Sequence, residues 1–280
     1  MRPTLRAVGE IGAALERHAR NTSFEWQGPK GPYRTLTEDQ AVQFDREGYV
    51  VIENLLDDET LAEVTREIDA FEAKVEAFLK TQPDERMMIA EAGALTVTLH
   101  VAARSPVLRA LVTSPPLVDL CADLIGPDVN LYWDQAVYKK PEKPRRVPWH
   151  QDNGYTYIEP QQYLTIWLAL TDATEVNGCP RVAPGLHRLG TLAHYYVEPL
   201  GFECFSDPPR EMAAPVKAGG AVVFSSLMPH LTGPNTTDDV RKAYIVQYAP
   251  VGASTCTDNG NVPCDDPNRQ FAVLRDGRRV

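Results

Sequence analysis

The chain has 280 residues, 43% of them apolar and 24% charged, an ordinary globular composition with enough length to bury a large core. Its 28 Lys and Arg against 38 Asp and Glu give a formal charge of −10. That balance argues against nucleic acid or an anionic membrane as the main partner and requires any anionic ligand to be met by a local basic patch. The N-terminal residues interleave charge with Ala and Leu and hold no continuous apolar run, so no secretory signal is expected, and no stretch approaches the roughly eighteen apolar residues of a membrane span. The five cysteines, Cys121, Cys179, Cys204, Cys256 and Cys264, are odd in number, sparse and without a CxxC pair. They point to a reducing compartment, by default the cytoplasm, and away from a cysteine-ligated zinc or iron–sulfur site.

Up to about residue 126 the pattern is helical. A first helix is expected over residues 5–20 and a second over 37–47, where Thr37 and Gln40 read as a capping box and Gly48 as a stop. Over residues 57–80, Leu61, Val64, Ile68, Phe71, Val75, Phe78 and Leu79 recur at helical spacing and form one packing stripe. A further helix is expected over 115–125, after Ser114 and closed by Gly126. From residue 129 onward short β-type runs take over, at 129–138, 163–170, 221–224 and 241–248, separated by Pro, Gly and Asn clusters. Repeated short strands with turn signals predict a sandwich or jelly roll rather than βαβ units, hence an α+β layout with a mainly β core braced by N-terminal helices. One domain is expected: residues 1–126 as mostly helical support, 127–250 as the core with the site, and 251–280 as loop and tail. Within the last part, the Gly-, Asp-, Asn- and Thr-rich residues 252–268 are expected to form a loop, one that could cover a site.

Among six histidines, His150 stands out because Asp152 follows it in an H-x-D. On a strand that spacing points both side chains to one face. An imidazole and a carboxylate joined by a remote second histidine make a 2-His-1-carboxylate facial triad, which leaves metal positions open. His230, opening His-Leu-Thr-Gly-Pro-Asn, is the candidate third ligand. The H-x-D tripeptide arises easily by chance, so its surroundings carry the weight.

Those surroundings, over roughly residues 40–250, resemble the phytanoyl-CoA dioxygenase family of Fe(II)/2-oxoglutarate-dependent oxygenases. The matching text is Trp149-His150-Gln151-Asp152, the strand around Trp167, Asn177-Gly178-Cys179, Pro184-Gly185-Leu186-His187, and the His230 motif leading to Arg241, eleven residues on. The resemblance implies a double-stranded β-helix, with Fe(II) held by His150, Asp152 and His230, and 2-oxoglutarate and O2 as co-substrates. It places Arg241 on the far carboxylate of 2-oxoglutarate, Thr232 as a hydrogen-bond donor to the same group, and Gln135 and Trp167 near the co-substrate. A planar guanidinium suits that carboxylate because it pairs with it bidentately, which a lysine does not. Retention of Asp152, where halogenating relatives carry a small residue, implies hydroxylation or a related oxidation of a small organic substrate rather than halogenation, with 2-oxoglutarate converted to succinate and CO2; desaturation, epimerisation and ring formation stay open.

Each residue also has a plainer reading: Arg241 as an ion-pair partner of Asp238 and Asp239, Thr232 as a turn residue, Gln135 as a strand amide. Trp149 and Trp167 read first as core aromatics, His187 as structural, and His18 and His194 as surface or helix positions. His100 is a candidate substrate-pocket contact. The basic run at residues 139–146 could guide an anionic substrate or serve as a solvated loop. Two competing functions remain: a catalytically silent jelly-roll protein that binds a small molecule, and a metal-dependent isomerase or hydrolase on the same barrel. A silent relative would lose a site residue, and a hydrolase has no need of Arg241.

Overall fold

The computed structural model describes residues 15–141, 148–198 and 200–280. Its helices are α1 (Glu38–Glu47), α2 (Asp58–Leu79), α3 (Pro106–Val112), α4 (Pro115–Leu124) and the one-turn α5 (Asp152–Tyr155). Its strands include β1 (Tyr49–Ile52), β2 (Leu95–Leu99), β3 (Val129–Lys139), β4 (Leu164–Ala169), β5 (Pro180–Val182), β6 (Tyr195–Val197) and β7 (Gly201–Glu203). They continue with β8 (Ala221–Ser225), β9 (His230–Thr232), β10 (Arg241–Pro250), β11 (Ser254–Thr257), β12 (Gly260–Pro263) and β13 (Ala272–Arg275).

Local chemistry sets the helix ends where the sequence places them. The Thr37 hydroxyl accepts from the Gln40 N–H, the Gln40 side chain accepts from the Thr37 N–H, and Gly48 closes α1 in the left-handed conformation. Asp57 caps α2 by accepting from the Thr60 N–H. On α2 the inward stripe is Val64, Ile68 and Leu79, with Leu61 and Phe71 packed at its margin and Phe78 left 48% exposed.

A large antiparallel sheet runs in the order β1-β8-β4-β10-β3-β2, and β13 adds to β3. Its outer face, with Leu164, Ile166, Leu168, Val223, Tyr244 and Val246, packs against Phe44, Ile68, Leu108 and Leu117 of the helices. Its inner face, with Trp167, Val222, Phe224 and Ile245, packs against Val182, Cys179 and Met228 of the smaller layer. That layer is a three-stranded sheet in which β5 lies between β9 and the short strand Met212–Ala213. Burial on both faces is why β4 and β8 read as mainly apolar runs, broken only by Thr165 and the terminal Ser225, rather than as alternating ones. The fold is the double-stranded β-helix, mainly β with bracing helices. Among the described residues no helix is long and apolar enough to cross a membrane.

Several expectations need correction. Of the helix expected over residues 5–20, only 15–20 are described, and these are not helical: they run along residues 191–193, through an Arg17–Leu192 bridge and the hydrogen bonds of His18 N to Thr191 O and Ala193 N to Glu16 O. Residues 5–14 lie outside the described residues. The region read as helical support also supplies β1 and β2 to the main sheet. The segment read as loop and tail holds the β11–β12 hairpin and contributes β13 to the sheet. Every residue of β12 is exposed, so no hydrophobic alternation marks it in the sequence.

Candidate metal centre

The register of the main sheet lays out the inner wall in rows. One row runs Trp133, Gln247, Thr165, Phe224 and Tyr49 across β3, β10, β4, β8 and β1. The next, two residues along and on the same face, runs Leu99, Gln135, Ile245, Trp167, Val222 and Val51. At the far end Arg241 pairs with Lys139. On β3 the residues facing inward, Trp133, Gln135 and Val137, are partly exposed, whereas Asp134, Ala136 and Tyr138, which face the helices, are buried. That inversion fits a barrel whose interior opens to solvent.

The candidate ligands meet where the two layers face each other. His150 and His230 form an antiparallel bridge, with His150 N donating to His230 O at 3.1 Å and His230 N to His150 O at 2.8 Å. The ring centroids stand 4.3 Å apart. Asp152 does not continue the strand: it opens α5, which turns its carboxylate back toward the imidazoles. The expected same-face geometry of a strand therefore gives way to a strand end followed by a helical turn. One ligand atom from each of His150, Asp152 and His230 lies within 4.8 Å of the others.

The remaining polar atoms of the three side chains are tied off, which leaves the ligand atoms aimed at one another. His150 Nδ1 lies 3.1 Å from Pro148 O, and His230 Nδ1 lies 3.0 Å from Met228 O. A carbonyl only accepts, so both rings carry the proton on Nδ1 and present the Nε2 lone pair. The Thr165 hydroxyl donates to Asp152 Oδ2, while Oδ1 faces His230 Nε2 at 3.8 Å. Burial, and then the neighbouring His230, push the His150 imidazole well below its ordinary pKa, which keeps it neutral and available as a ligand. Phe224 packs beneath His230 at 4.6 Å. Two imidazoles and one carboxylate, each with its outer-sphere hydrogen bond, fit a divalent first-row metal with open positions.

The residue between the ligands anchors the motif. Gln151 is fully buried: its Nε2 donates to Gly190 O at 3.0 Å and Leu227 O at 2.6 Å, and its Oε1 accepts from Leu192 N at 2.7 Å. Its backbone N–H donates to His194 Nε2 at 2.9 Å, and His194 Nδ1 donates to Leu192 O at 2.9 Å. His194 is thus no surface or helix position but a neutral support for the peptide joining two ligands, its pKa lowered to about 4, chiefly by burial. A Cβ at Gly154 would come within 2.1 Å of the His194 ring, so only glycine fits there. Neither His194 nor Thr165 carries a sequence signal: Thr165 sits inside an apolar strand, and the His194 contact spans a loop.

The other candidates fall as follows. Arg241 is 1% exposed, and its guanidinium stands 5.1 Å from the Trp167 ring, itself 4% exposed on the inner wall. Lys139, the register partner of Arg241, donates to Thr232 O at 3.0 Å and Gly233 O at 2.6 Å, so Thr232 and Arg241 meet at the same lysine. Gln135 lies in the Trp167 row and accepts from Trp133 Nε1 at 3.2 Å. His100, at φ 52°, packs edge-on against Trp133 at 4.3 Å and lies 3.2 Å from Arg269, away from the three ligands. His187 is fully buried against Trp26, with Nε2 3.1 Å from Asp45 O, as a structural residue. Of the basic run, Lys140 is paired with Glu72 and Glu76, and residues 142–147 lie outside the described residues.

With this geometry in view, comparison with known proteins gives a consistent picture. The sequence profile of the family described as "Phytanoyl-CoA dioxygenase (PhyH)" matches residues 44–243. The chain is 27% identical over 259 residues to phytanoyl-CoA dioxygenase domain-containing protein 1 of Danio rerio, covering 75% of this chain and 88% of the relative. It is 28% identical over 218 residues to a methylphosphonate hydroxylase of Gimesia maris, covering 76% and 81%. The fold is shared, at 23% identity and a TM-score of 0.61 over 87% of this chain and 94% of the other, with the epimerase SnoN in complex with Fe3+, alpha ketoglutarate and nogalamycin RO. The chain therefore belongs to the phytanoyl-CoA dioxygenase family of iron- and 2-oxoglutarate-dependent oxygenases.

Proposed function

We propose that this protein is an Fe(II)- and 2-oxoglutarate-dependent dioxygenase that hydroxylates a small organic substrate, with His150, Asp152 and His230 as the iron ligands. The observation that carries the reading is the convergence of two Nε2 lone pairs and one carboxylate oxygen within 4.8 Å, with every competing atom of those side chains hydrogen-bonded elsewhere. Bound iron and 2-oxoglutarate supply the redox chemistry, in which O2 delivers one oxygen atom to succinate and one to the substrate as CO2 leaves.

The chain's own residues position the partners. Arg241, buried at the end of the inner wall, presents a bidentate donor to the distal carboxylate of 2-oxoglutarate, and the Thr232 hydroxyl adds a third donor. Trp167 and Gln135, two rows nearer the ligands, flank the co-substrate. Asp152 fills the position a halide would need, which favours hydroxylation. His100 stands at the rim with Trp133, where it borders the substrate space without touching a ligand.

The test is an anaerobic titration of the apo-protein with Fe(II) and 2-oxoglutarate. The weak visible charge-transfer band of the chelated complex is expected in the wild type and lost in Asp152→Ala and Arg241→Ala. A folded, iron-loaded protein without the band overturns the co-substrate assignment. Product analysis with a substrate that triggers succinate release then separates hydroxylation from epimerisation.

A further inference from the structure

A chain of aromatic rings leads from the metal centre to solvent and has no part in holding metal or co-substrate. Tyr155, the last residue of α5, meets the His150 ring edge-to-face, with centroids 5.2 Å apart at 84°. Phe202 of β7 meets Tyr155 at 5.4 Å and 76°, and Tyr196 of β6 meets Phe202 at 5.5 Å and 75°. Tyr155 is 46% exposed and Tyr196 50%. A ring that touches a candidate iron ligand and is still half open to water lies at the mouth of the site. The β6–β7 hairpin is pressed against it: a Cβ at Gly201, at φ +107°, would stand 2.9 Å from the Tyr155 hydroxyl.

The chemistry of this wall selects among ligands. Its rings are in direct mutual contact, so no gap is left between them for a cation to be caged by converging faces. Among the described residues the segment offers no spare cation to an anion: Arg181 is ion-paired with Glu211, Arg210 lies 3.9 Å from Glu47, and Glu198 and Asp207 add negative charge. The described lysines of the basic run are engaged elsewhere, Lys140 with Glu72 and Glu76 and Lys139 with two backbone carbonyls. Successive rings set near right angles expose a face next to an edge, a step on which a flat ring gains both offset-stacked and edge contacts.

We infer that Tyr155, Phe202 and Tyr196 form the substrate-binding wall of the metal centre, and that the primary substrate presents an uncharged ring system to it. This rests on the oxygenase reading for the identity of the site but not for its test. The full-length protein is loaded with Mn(II), and 2-naphthol is the probe, followed by the paramagnetic relaxation of its protons. Enhanced relaxation that is abolished by EDTA is expected, with binding about three- to tenfold weaker in Tyr155→Leu and in Tyr196→Ser, as loss of one aromatic contact predicts. Tyr155→Phe, which keeps the ring, is expected to bind as the wild type. Naphthalene-2-sulfonate, with the same ring and a negative charge, and 1-octanol, apolar without a ring, are expected to bind more weakly. Equal binding of either analogue, or wild-type affinity in both Tyr155→Leu and Tyr196→Ser, overturns the inference. Failure of the oxygenase reading shows separately, as absence of the 2-oxoglutarate charge-transfer band in the wild type.

Discussion

Thr165→Val isolates the hydrogen bond that orients the carboxylate ligand. Thr165 is fully buried in β4, and its hydroxyl donates to Asp152 Oδ2, leaving Oδ1 toward His230. Valine has nearly the same shape, so the change removes the donor without opening a cavity. A buried hydrogen bond to a charged acceptor is worth about 1.5–3 kcal/mol. Outer-sphere partners of metal ligands typically cost ten- to a hundredfold in metal affinity when removed, which is about 1.4–2.7 kcal/mol. The two figures agree because the same bond is counted from either side: without it the carboxylate rotates freely, and metal binding must restore its orientation. Anaerobic Fe(II) titration, with Co(II) absorbance as a second metal, reads the affinity, and thermal melting of the apo-protein checks the fold. Thr165→Ser is expected to recover most of the loss. Wild-type affinity in Thr165→Val, alongside abolished binding in Asp152→Ala, would refute the argument that Thr165 sets the ligand geometry.

The strands of the core were legible because β4 and β8 are covered on both faces and therefore read as mainly apolar runs. The ends of α1 were legible because a capping box and a left-handed glycine are local devices. The candidate ligands His150, Asp152 and His230 were legible as residue types at a spacing, but the route that brings them together was not. Asp152 reaches the imidazoles from the first turn of α5 rather than along a strand, a choice fixed by the buried Gln151 and Asn153 side chains on either side of it. The supports of the site were invisible for a related reason. Thr165 is one hydroxyl in an apolar run, and His194 meets Gln151 only through tertiary packing, so neither leaves a periodic trace. The hairpin β11–β12 escaped because its exposed residues show no alternation, and β1 and β2 because each is short and follows a strong helix or turn signal.

Three further substitutions test other links. His194→Ala leaves the buried Gln151 N–H without its acceptor, a cost of about 1–3 kcal/mol, and is expected to weaken Fe(II) binding in anaerobic titration while the far-UV spectrum is unchanged; unaltered metal affinity would assign His194 to packing alone. Ile68→Ala removes a fully buried side chain between α2 and the outer face of the sheet and is expected to lower the unfolding free energy in urea by about 2–5 kcal/mol, with the 2-oxoglutarate band retained; a loss under 1 kcal/mol would mean that α2 does not brace the sheet. Asp134→Asn tests a buried acid. Asp134 Oδ2 accepts from the Ala102 N–H at 3.0 Å and the Tyr244 hydroxyl at 2.9 Å, Oδ1 is buried without a partner, and burial raises the carboxyl above its ordinary value of 3.8. Asparagine keeps an oxygen for both donors but does not titrate. Between 3.8 and the raised folded value the native state binds more protons than the unfolded chain, so the Asp134 contribution is complete below 3.8 and is lost as pH rises through the folded pKa. The stability of the wild type relative to Asp134→Asn is therefore expected to fall with rising pH over that window and to level off above it in denaturant titrations. A gap that stays constant, or grows in favour of the wild type as the carboxyl ionises, would mean that the two donated hydrogen bonds outweigh desolvation at this site.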